Sequence, residues 1–288
     1  ALNEQVLIEK CLQSLNSLKY PDVTLEIIVV DNGSTDNTRS IIERRAREDD
    51  RIRSSFSDEN RGAAWNFNHV LSMARGNYFH WSGYDDLMEP TMLRRCIEAL
   101  KTHEGSVLSY PQTRIIDEHG ALTEDYDNGM HLDQADPAQR LKQYLSRVDM
   151  ANPIFGVLPT EHIRGVGGLG SYPSADLVTL ARLALRGKVI EVPERLFMRR
   201  IHARQSWRRV GLYEGFASWF DPSNKKKIVF TDWRVFGELL RACFKEELSL
   251  GERVRSVGMV LYYWPRRRFR RLFREIMRVG GFFRSEKA

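Results

Sequence analysis

The order of apolar patterns predicts an α/β protein: a mostly parallel, Rossmann-like sheet flanked by helices, followed by a basic, helical C-terminal extension. Three observations carry that expectation. Helix-period and strand-period segments alternate through the first 110 residues, the sequence signature of a parallel sheet with crossover helices. The run Leu25-Glu-Ile-Ile-Val-Val30 shows almost no alternation, as expected of a strand buried on both faces. Beyond residue 207 the pattern turns helical and basic.

Taken in order, Val6, Leu7, Cys11, Leu12, Leu15 and Leu18 recur at helical spacing in residues 4–19, and Tyr20-Pro21-Asp22 stops that helix. The strand at 25–30 follows. Residues 36–48 read as a helix, 52–56 as a short strand, 62–74 as a helix, 78–81 as a strand, 91–100 as a helix and 107–110 as an apolar strand. The rhythm then breaks, because residues 111–150 are polar and turn-rich up to a helix at 137–148. A second subregion is expected from 152–159, a glycine-rich turn at 165–170, a helix at 174–186 and a strand at 189–192. In the extension, Pro222 and Pro265 are expected to break the helices.

Composition limits the function classes. The 288 residues are 42% hydrophobic and 28% charged, with 14 Phe, 10 Tyr and 6 Trp, which excludes disordered, collagen-like and disulfide-rich chains. No apolar run approaches the roughly 18–20 residues of a membrane-spanning helix, and the opening ALNEQVLIEK lacks the pattern of an export signal. Cys11, Cys96 and Cys243 are odd in number and lack metal-ligand spacing, so buried, reduced thiols and a cytoplasmic location are expected. Charge is uneven: residues 1–198 carry 22 Lys and Arg against 29 Asp and Glu, whereas residues 199–288 carry 22 against 9. An anionic partner for the last third follows.

Two motifs carry chemistry. The strand at 27–30 runs into Asp31-Asn-Gly-Ser-Thr-Asp36, and ligands of open parallel sheets sit beyond the C-terminal strand ends. No G-x-G-x-x-G follows that strand, which argues against an NAD-dependent oxidoreductase. Further on, Asn60-Arg61-Gly62-Ala63-Ala64, Asn68, Ala74 and Gly76 precede the strand 78–81 and the loop Ser82-Gly-Tyr-Asp85-Asp86-Leu-Met-Glu-Pro90. Adjacent carboxylates at a strand end offer hard oxygen ligands to Mg²⁺ or Mn²⁺, an ion suited to a diphosphate leaving group.

VVDNGSTDNT, NRGAA with Asn68, and the DD followed by Pro together resemble the family 2 glycosyltransferases of the GT-A fold, over roughly residues 3–207. The resemblance implies transfer of a sugar from a nucleotide diphosphate donor to an acceptor hydroxyl, with inversion and a divalent metal, UDP being the favoured nucleotide. It implies a nucleotide-sugar-binding half at 1–110, an acceptor-binding half at 111–207 and the extension at 208–288. Asp31 would contact the base, Arg61 the nucleotide, Asp85 the ribose, sugar or metal, and Asp86 the metal. The family's general base lies in an acidic pair after a glycine-rich turn. Here the turn is Gly165–Gly170 and the matching residues are Ala175-Asp176, so Asp176 is the expected base and the preceding Glu is replaced.

The resemblance also implies a donor-covering loop at Arg199-Arg-Ile-His-Ala-Arg204, with His202 at the metal or diphosphate and Arg200 or Arg204 at the phosphates. Gln205 and Arg208 half-match the Gln-x-x-Arg-Trp signature of processive synthases, but Arg209 stands in place of Trp, so single transfers are expected. Family members open with an apolar strand ending in a Tyr-Asn-type turn. The chain starts at Ala1-Leu-Asn-Glu4, so that strand is expected to be missing and the donor pocket short of a wall. A nucleotidyltransferase and a non-catalytic sugar- or membrane-binding protein are the rival readings.

In the extension, residues 266–278 read RRRFRRLFREIMR. Phe269, Leu272, Phe273, Ile276 and Met277 are expected to form one apolar stripe among seven Arg, which suits a helix lying on an anionic membrane surface through residues 262–288. No nucleic-acid-binding motif accompanies the charge, so nucleic acid is not an expected partner. The place suggested is the cytoplasmic face of a membrane, in cell-envelope or exopolysaccharide glycan assembly.

Overall fold

The structure is a computed structural model that describes residues 1–16, 23–127, 129–202, 214–225 and 229–285. Two groups of strands form. β1 (Ile27–Asn32) and β2 (Ile52–Ser57) pair in parallel, with Asp31 opposite Phe56. A second sheet runs in the order β3 (Tyr78–His80), β7 (Val157–Pro159), β5 (Ser106–Ile116), β8 (Lys188–Arg200) and β4 (Leu87–Met88), with β6 (Leu122–Tyr126) added to β5. Within it β5 and β8 are parallel and the other pairs antiparallel. The α/β class holds, with a mixed sheet.

Helices cover the strands: α1 (Gln5–Asn16), α2 (Thr38–Glu48), α3 (Ala63–Met73), α4 (Met92–Thr102), α5 (Pro137–Arg147), α6 (Thr160–Gly165), α7 (Ala175–Arg186), α8 (Glu214–Phe220), α9 (Thr231–Lys245) and α10 (Leu250–Ser285). α1 and α2 close over β1 and β2 through Ile8, Leu12, Ile27, Ile42 and Ile52. The main core joins Leu108 and Tyr110 of β5 to Leu141 and Tyr144 of α5, Leu180 of α7, Leu239 of α9 and Trp264 of α10. Arg140 is buried there because α7 ends there. Its guanidinium donates to the carbonyls of Ala184 at 2.7 Å and Leu185 at 3.1 Å, carbonyls that a helix end leaves without intrahelical partners.

Three expectations are corrected. The strands expected at 107–110 and 189–192 run on through Ile116 and Arg200. Pro111 has no N–H for a ladder, yet the β5–β8 register shifts beside it, and an irregularity of that kind accommodates proline inside a sheet. Pro265 does not break α10 but lies inside it. The helix continues because its inner face stays packed on both sides of the proline: Trp264 and Leu272 are buried, and the Trp264 indole donates to Asp232 O at 3.2 Å. The expected stripe in α10 is also split, since Leu272 points inward while Phe269, Phe273, Ile276 and Met277 are each more than half exposed.

The two groups of strands do not meet. Among the described residues no strand joins β1 to β3, and the space between them is lined by Ile28, Val30, Phe67, Val70, Phe79 and Trp81. Ala1 lies beside the end of β1, its ammonium donating to Val30 O at 2.6 Å and its carbonyl accepting from the Asn32 N–H at 2.9 Å.

Candidate active site

The end of β1 is organised by its own turn. Asp31 is 1% exposed and its carboxylate accepts from the Ser34 hydroxyl at 2.5 Å and the Ser34 N–H at 3.3 Å. Gly33 has φ +82°, and a Cβ there would lie 2.5 Å from the Glu59 carbonyl carbon, so only glycine fits this crossing. The next side chain ties the turn to the second motif. Asn32 donates to Asn60 Oδ1 and Gly62 O, each at 3.2 Å, and accepts from the Arg61 N–H at 3.0 Å. The Arg61 guanidinium extends over Trp65, 4.5 Å from the ring centroid.

The acidic pair follows β3, where the chain turns toward β4. The end of β8 holds it from beneath. Asp86 accepts from the Arg200 N–H at 3.0 Å, and the Arg200 guanidinium donates to the carbonyls of Asp85 at 2.8 Å, Asp117 at 3.0 Å and Glu118 at 3.2 Å. His202 is buried and its Nε2 lies 3.1 Å from Asp85 Oδ2. Burial, and next the charge of Asp85, push the Asp86 carboxyl up to about 7, while Arg199 and Arg200 pull the other way. Cys11, whose Sγ lies 3.8 Å from Gly83 O, is pushed up to about 12 by burial and by the same two acids.

Asp176 is set by the glycine-rich turn. Gly167 and Gly168 adopt φ +79° and +69°. Asn68 grips the turn from α3, donating to Leu169 O at 2.7 Å and accepting from the Leu169 N–H at 2.8 Å, and Ser174 precedes α7 at φ +62°. Asp176 therefore enters on the first turn of α7, with Oδ1 accepting the Leu177 N–H at 2.9 Å. Burial raises its pKa, opposed by that N–H and by Arg199. Arg199 thus acts on both Asp86 and Asp176, and its guanidinium is anchored on Asn152.

Asp85, Asp86, Asp176 and Arg199 line one cavity of about 1670 Å³, together with Asn32. This exceeds the roughly 300–1,000 Å³ of ordinary ligand pockets because it continues into the slot between β1 and β3. Asp31 and Arg61 are outside the lining, one residue from Asn32 and Asn60, which are in it. Arg200 does not extend toward the cavity as a free cation. Three carbonyls hold its guanidinium, so its geometry is that of a strut under the acidic loop. Arg204 and the Gln205–Arg209 motif lie outside the described residues. Of the aromatic side chains, Trp81, with its N–H on Phe67 O at 3.2 Å, lines the cavity together with Tyr84, Phe216, Trp219 and Phe220.

Asn32 had no expected role, and Arg199 figured only as the start of the expected donor-covering loop; its effect on Asp86 and Asp176 was hidden by ending β8 at residue 192. Asn32 could have been found, because an amide at a strand end beside a glycine turn is a common bridge to the next loop. For a metal, the donors fit in kind: a buried carboxylate that holds its proton up to about neutrality is short of positive charge. No group of three His, Cys, Asp or Glu that could hold an ion occurs among the described residues, so ligand oxygens would have to complete the shell, as is usual for Mg²⁺.

An α/β fold that sets an acidic pair across one cavity from an acid on a helix N-terminus, beside a nucleotide-type strand turn, is that of the GT-A glycosyltransferases. The family model for glycosyl transferase family 2 matches residues 1–152. The chain belongs to that family. It is 31% identical over 126 residues to GalNAc(5)-diNAcBac-PP-undecaprenol beta-1,3-glucosyltransferase of Campylobacter jejuni, a match spanning 43% of the chain and 39% of that protein. In fold it is similar to S. aureus TarS 1-349 in complex with UDP-GlcNAc, with TM-score 0.64 and 15% identity over 92% of the chain and 70% of TarS 1-349. It is also similar to the mannosyltransferase PcManGT of Pyrobaculum calidifontis in complex with GDP-Man and Mn²⁺, with TM-score 0.55 and 18% identity over 96% and 83%.

Proposed function

We propose that the chain transfers a sugar from a nucleotide diphosphate donor to an acceptor hydroxyl, with inversion and one sugar per encounter. The observation that carries this reading is the placement of Asp85, Asp86 and Asp176 around one cavity, with Arg199 acting on both sides. Asp86 and Asp85 would hold Mg²⁺ or Mn²⁺, which when bound would neutralise the diphosphate leaving group. Asp31, through its rigid turn, and Arg61, over Trp65, would frame the nucleotide, a UDP-sugar being favoured on family grounds. Arg200 and His202 position Asp85 and Asp86.

Asp176 would take the proton of the acceptor hydroxyl. Its raised proton affinity suits that task, since a general base works best with a pKa drawn toward the working pH. The C. jejuni relative, named for a glycan on undecaprenol diphosphate, supports a lipid-linked glycan acceptor and a place in envelope glycan assembly. No helix among the described residues is long and apolar enough to cross a membrane. The exposed Phe269, Phe273, Ile276 and Met277 beside the arginines of α10 favour peripheral attachment to an anionic inner membrane face.

The test is incubation of the chain with UDP-, GDP-, dTDP-, CDP- and ADP-sugars and Mn²⁺, following release of the nucleoside diphosphate. Release with one donor class, absent in Asp86→Asn, supports the reading. Consumption of a nucleoside triphosphate with release of pyrophosphate would transfer the assignment to nucleotidyl chemistry.

A further inference from the structure

We infer that α10 supplies an anion subsite for the acceptor, in which Arg268, Arg271 and Arg274 bind a phosphate or diphosphate group that the acceptor carries. This rests on the glycosyl-transfer reading above. The three arginines recur at i, i+3 and i+6 and line the cavity that holds Asp85, Asp86 and Asp176. None has an ion-pair partner within 4 Å among the described residues, although arginines elsewhere are paired: Arg182 and Arg186 share the buried Glu246, and Arg44 and Arg45 share Glu9.

The local charge is in excess. Burial lowers the Arg268 pKa first, and the charges of Arg271 and Arg267 lower it further against the pull of Asp232 and Asp149. Asp232 is itself buried, and burial raises its pKa against the pull of all three arginines. Such a row of guanidinium groups is matched by the paired oxygens of a phosphate, which accept bidentate hydrogen bonds.

Position assigns the anion to the acceptor. The Tyr144 hydroxyl of α5 donates to Leu177 O at 2.7 Å, one residue past Asp176, and the Arg267 guanidinium donates to the neighbouring Leu145 O at 3.2 Å, so the row begins on the side of the cavity where the candidate base stands. It is also rigidly mounted. Trp264 donates to Asp232 O, the Trp233 indole donates to Leu272 O at 3.2 Å, and Glu275 accepts the N–H groups of Asp232 and Trp233 at 3.0 and 3.3 Å. Arg268 lies over Trp264, 5.2 Å from the ring centroid. The exposed Phe269 and Phe273 project about 100° to 140° around the helix from Arg268. The arginine row and the apolar stripe are therefore separate surfaces of one helix.

The test titrates the full chain with inorganic pyrophosphate and with farnesyl diphosphate in EDTA, and measures flotation with phosphatidylglycerol vesicles. Both diphosphates should bind the wild type. Binding should weaken at least ten-fold in R268Q/R271Q/R274Q and in R271Q/R274Q, which leaves the partly buried Arg268 in place. It should be unchanged in Asp86→Asn, which reports the donor site, and in R266Q/R270Q. Melting temperatures identify any variant that fails to fold. Diphosphate binding that survives in the row variants, or is absent from the wild type, overturns the proposal. Loss of vesicle flotation without loss of diphosphate binding would make the row a lipid-headgroup contact and overturn it too. Titration of the wild type with nucleoside diphosphates and Mn²⁺ keeps the two readings apart. If nucleotides fail to bind while row-dependent diphosphate binding stands, it is the donor reading that falls.

Discussion

Asp176 and Asp86 are both carboxylates whose proton affinity burial has raised, yet their surroundings suit them to different work. Asp86 has a second acid beside it and a single main-chain donor, the Arg200 N–H, which favours a cation. Asp176 is reached by the Leu177 N–H, its own N–H and the charge of Arg199, which leaves it able to accept a proton. Asp176→Asn is accordingly expected to retain metal-dependent donor binding and to lose about 10²- to 10⁴-fold in transfer rate. Steady-state transfer assays beside donor titrations check both halves. At this scale the positions of Asp31, Asp85 and Asp86 were legible in the sequence, because strand ends followed by Asp are local patterns, whereas Asp176 on the first turn of α7 was expected only from the family resemblance. The relation of Arg199 to Asp86 and Asp176 was not legible, since it depends on β8 running eight residues past its apolar stretch.

At the scale of elements, helix positions were read to within a residue or two where apolar spacing was regular. α3 was expected at 62–74 and forms as Ala63–Met73, and α7 at 174–186 forms as Ala175–Arg186. Strand extent was less legible. The later parts of β5 and β8 carry Pro111, Gln112, Arg114 and Arg195, and are held by partners distant in sequence, including Gln112 on Arg195 at 2.6 Å. One acid adds a charged tie to the apolar join between α7 and the C-terminal helices: Glu246, 3% exposed, receives both Arg182 and Arg186. Glu246→Gln would leave two guanidinium groups without a counter-charge and is expected to cost about 3 kcal/mol, measured by urea denaturation.

A pH effect belongs to β3. His80 bonds Gly156 O through Nδ1 at 3.2 Å, and its other ring nitrogen has no hydrogen-bond partner among the described residues. Burial lowers its pKa from 6.5 to about 4, so the folded state binds fewer protons than the unfolded one between those values. The contribution of His80 is fully present above pH 6.5 and declines as pH falls toward 4. His80→Gln should flatten that part of the stability profile; an unchanged slope would contradict the assignment.

At the scale of the molecule, α10 joins the core, the cavity and the exterior. Its inner face packs on α5 and α9, its arginine row faces the cavity, and Phe269 and Phe273 face solvent. The basic character of this helix was plain from composition. Its division into faces was not, because Leu272 shares the spacing of the exposed residues and only the packed neighbours separate them. F269S/F273S/I276S should leave the melting temperature nearly unchanged, as exposed substitutions usually do, while flotation with anionic vesicles falls. A large drop in melting temperature would show instead that the stripe is structural.

The central claim is that the acidic pair beyond β3 recruits a metal and a nucleotide to this cavity. A thermal-shift panel of UDP, GDP, dTDP, CDP and ADP, each with and without Mn²⁺, on wild type and Asp86→Asn tests it directly. At about 100 times its dissociation constant a ligand adds roughly 2.7 kcal/mol. A raised midpoint is expected for at least one diphosphate, dependent on Mn²⁺ and lost in the variant. No shift with any nucleotide on a cooperatively melting chain, or a shift that persists in Asp86→Asn, would contradict it.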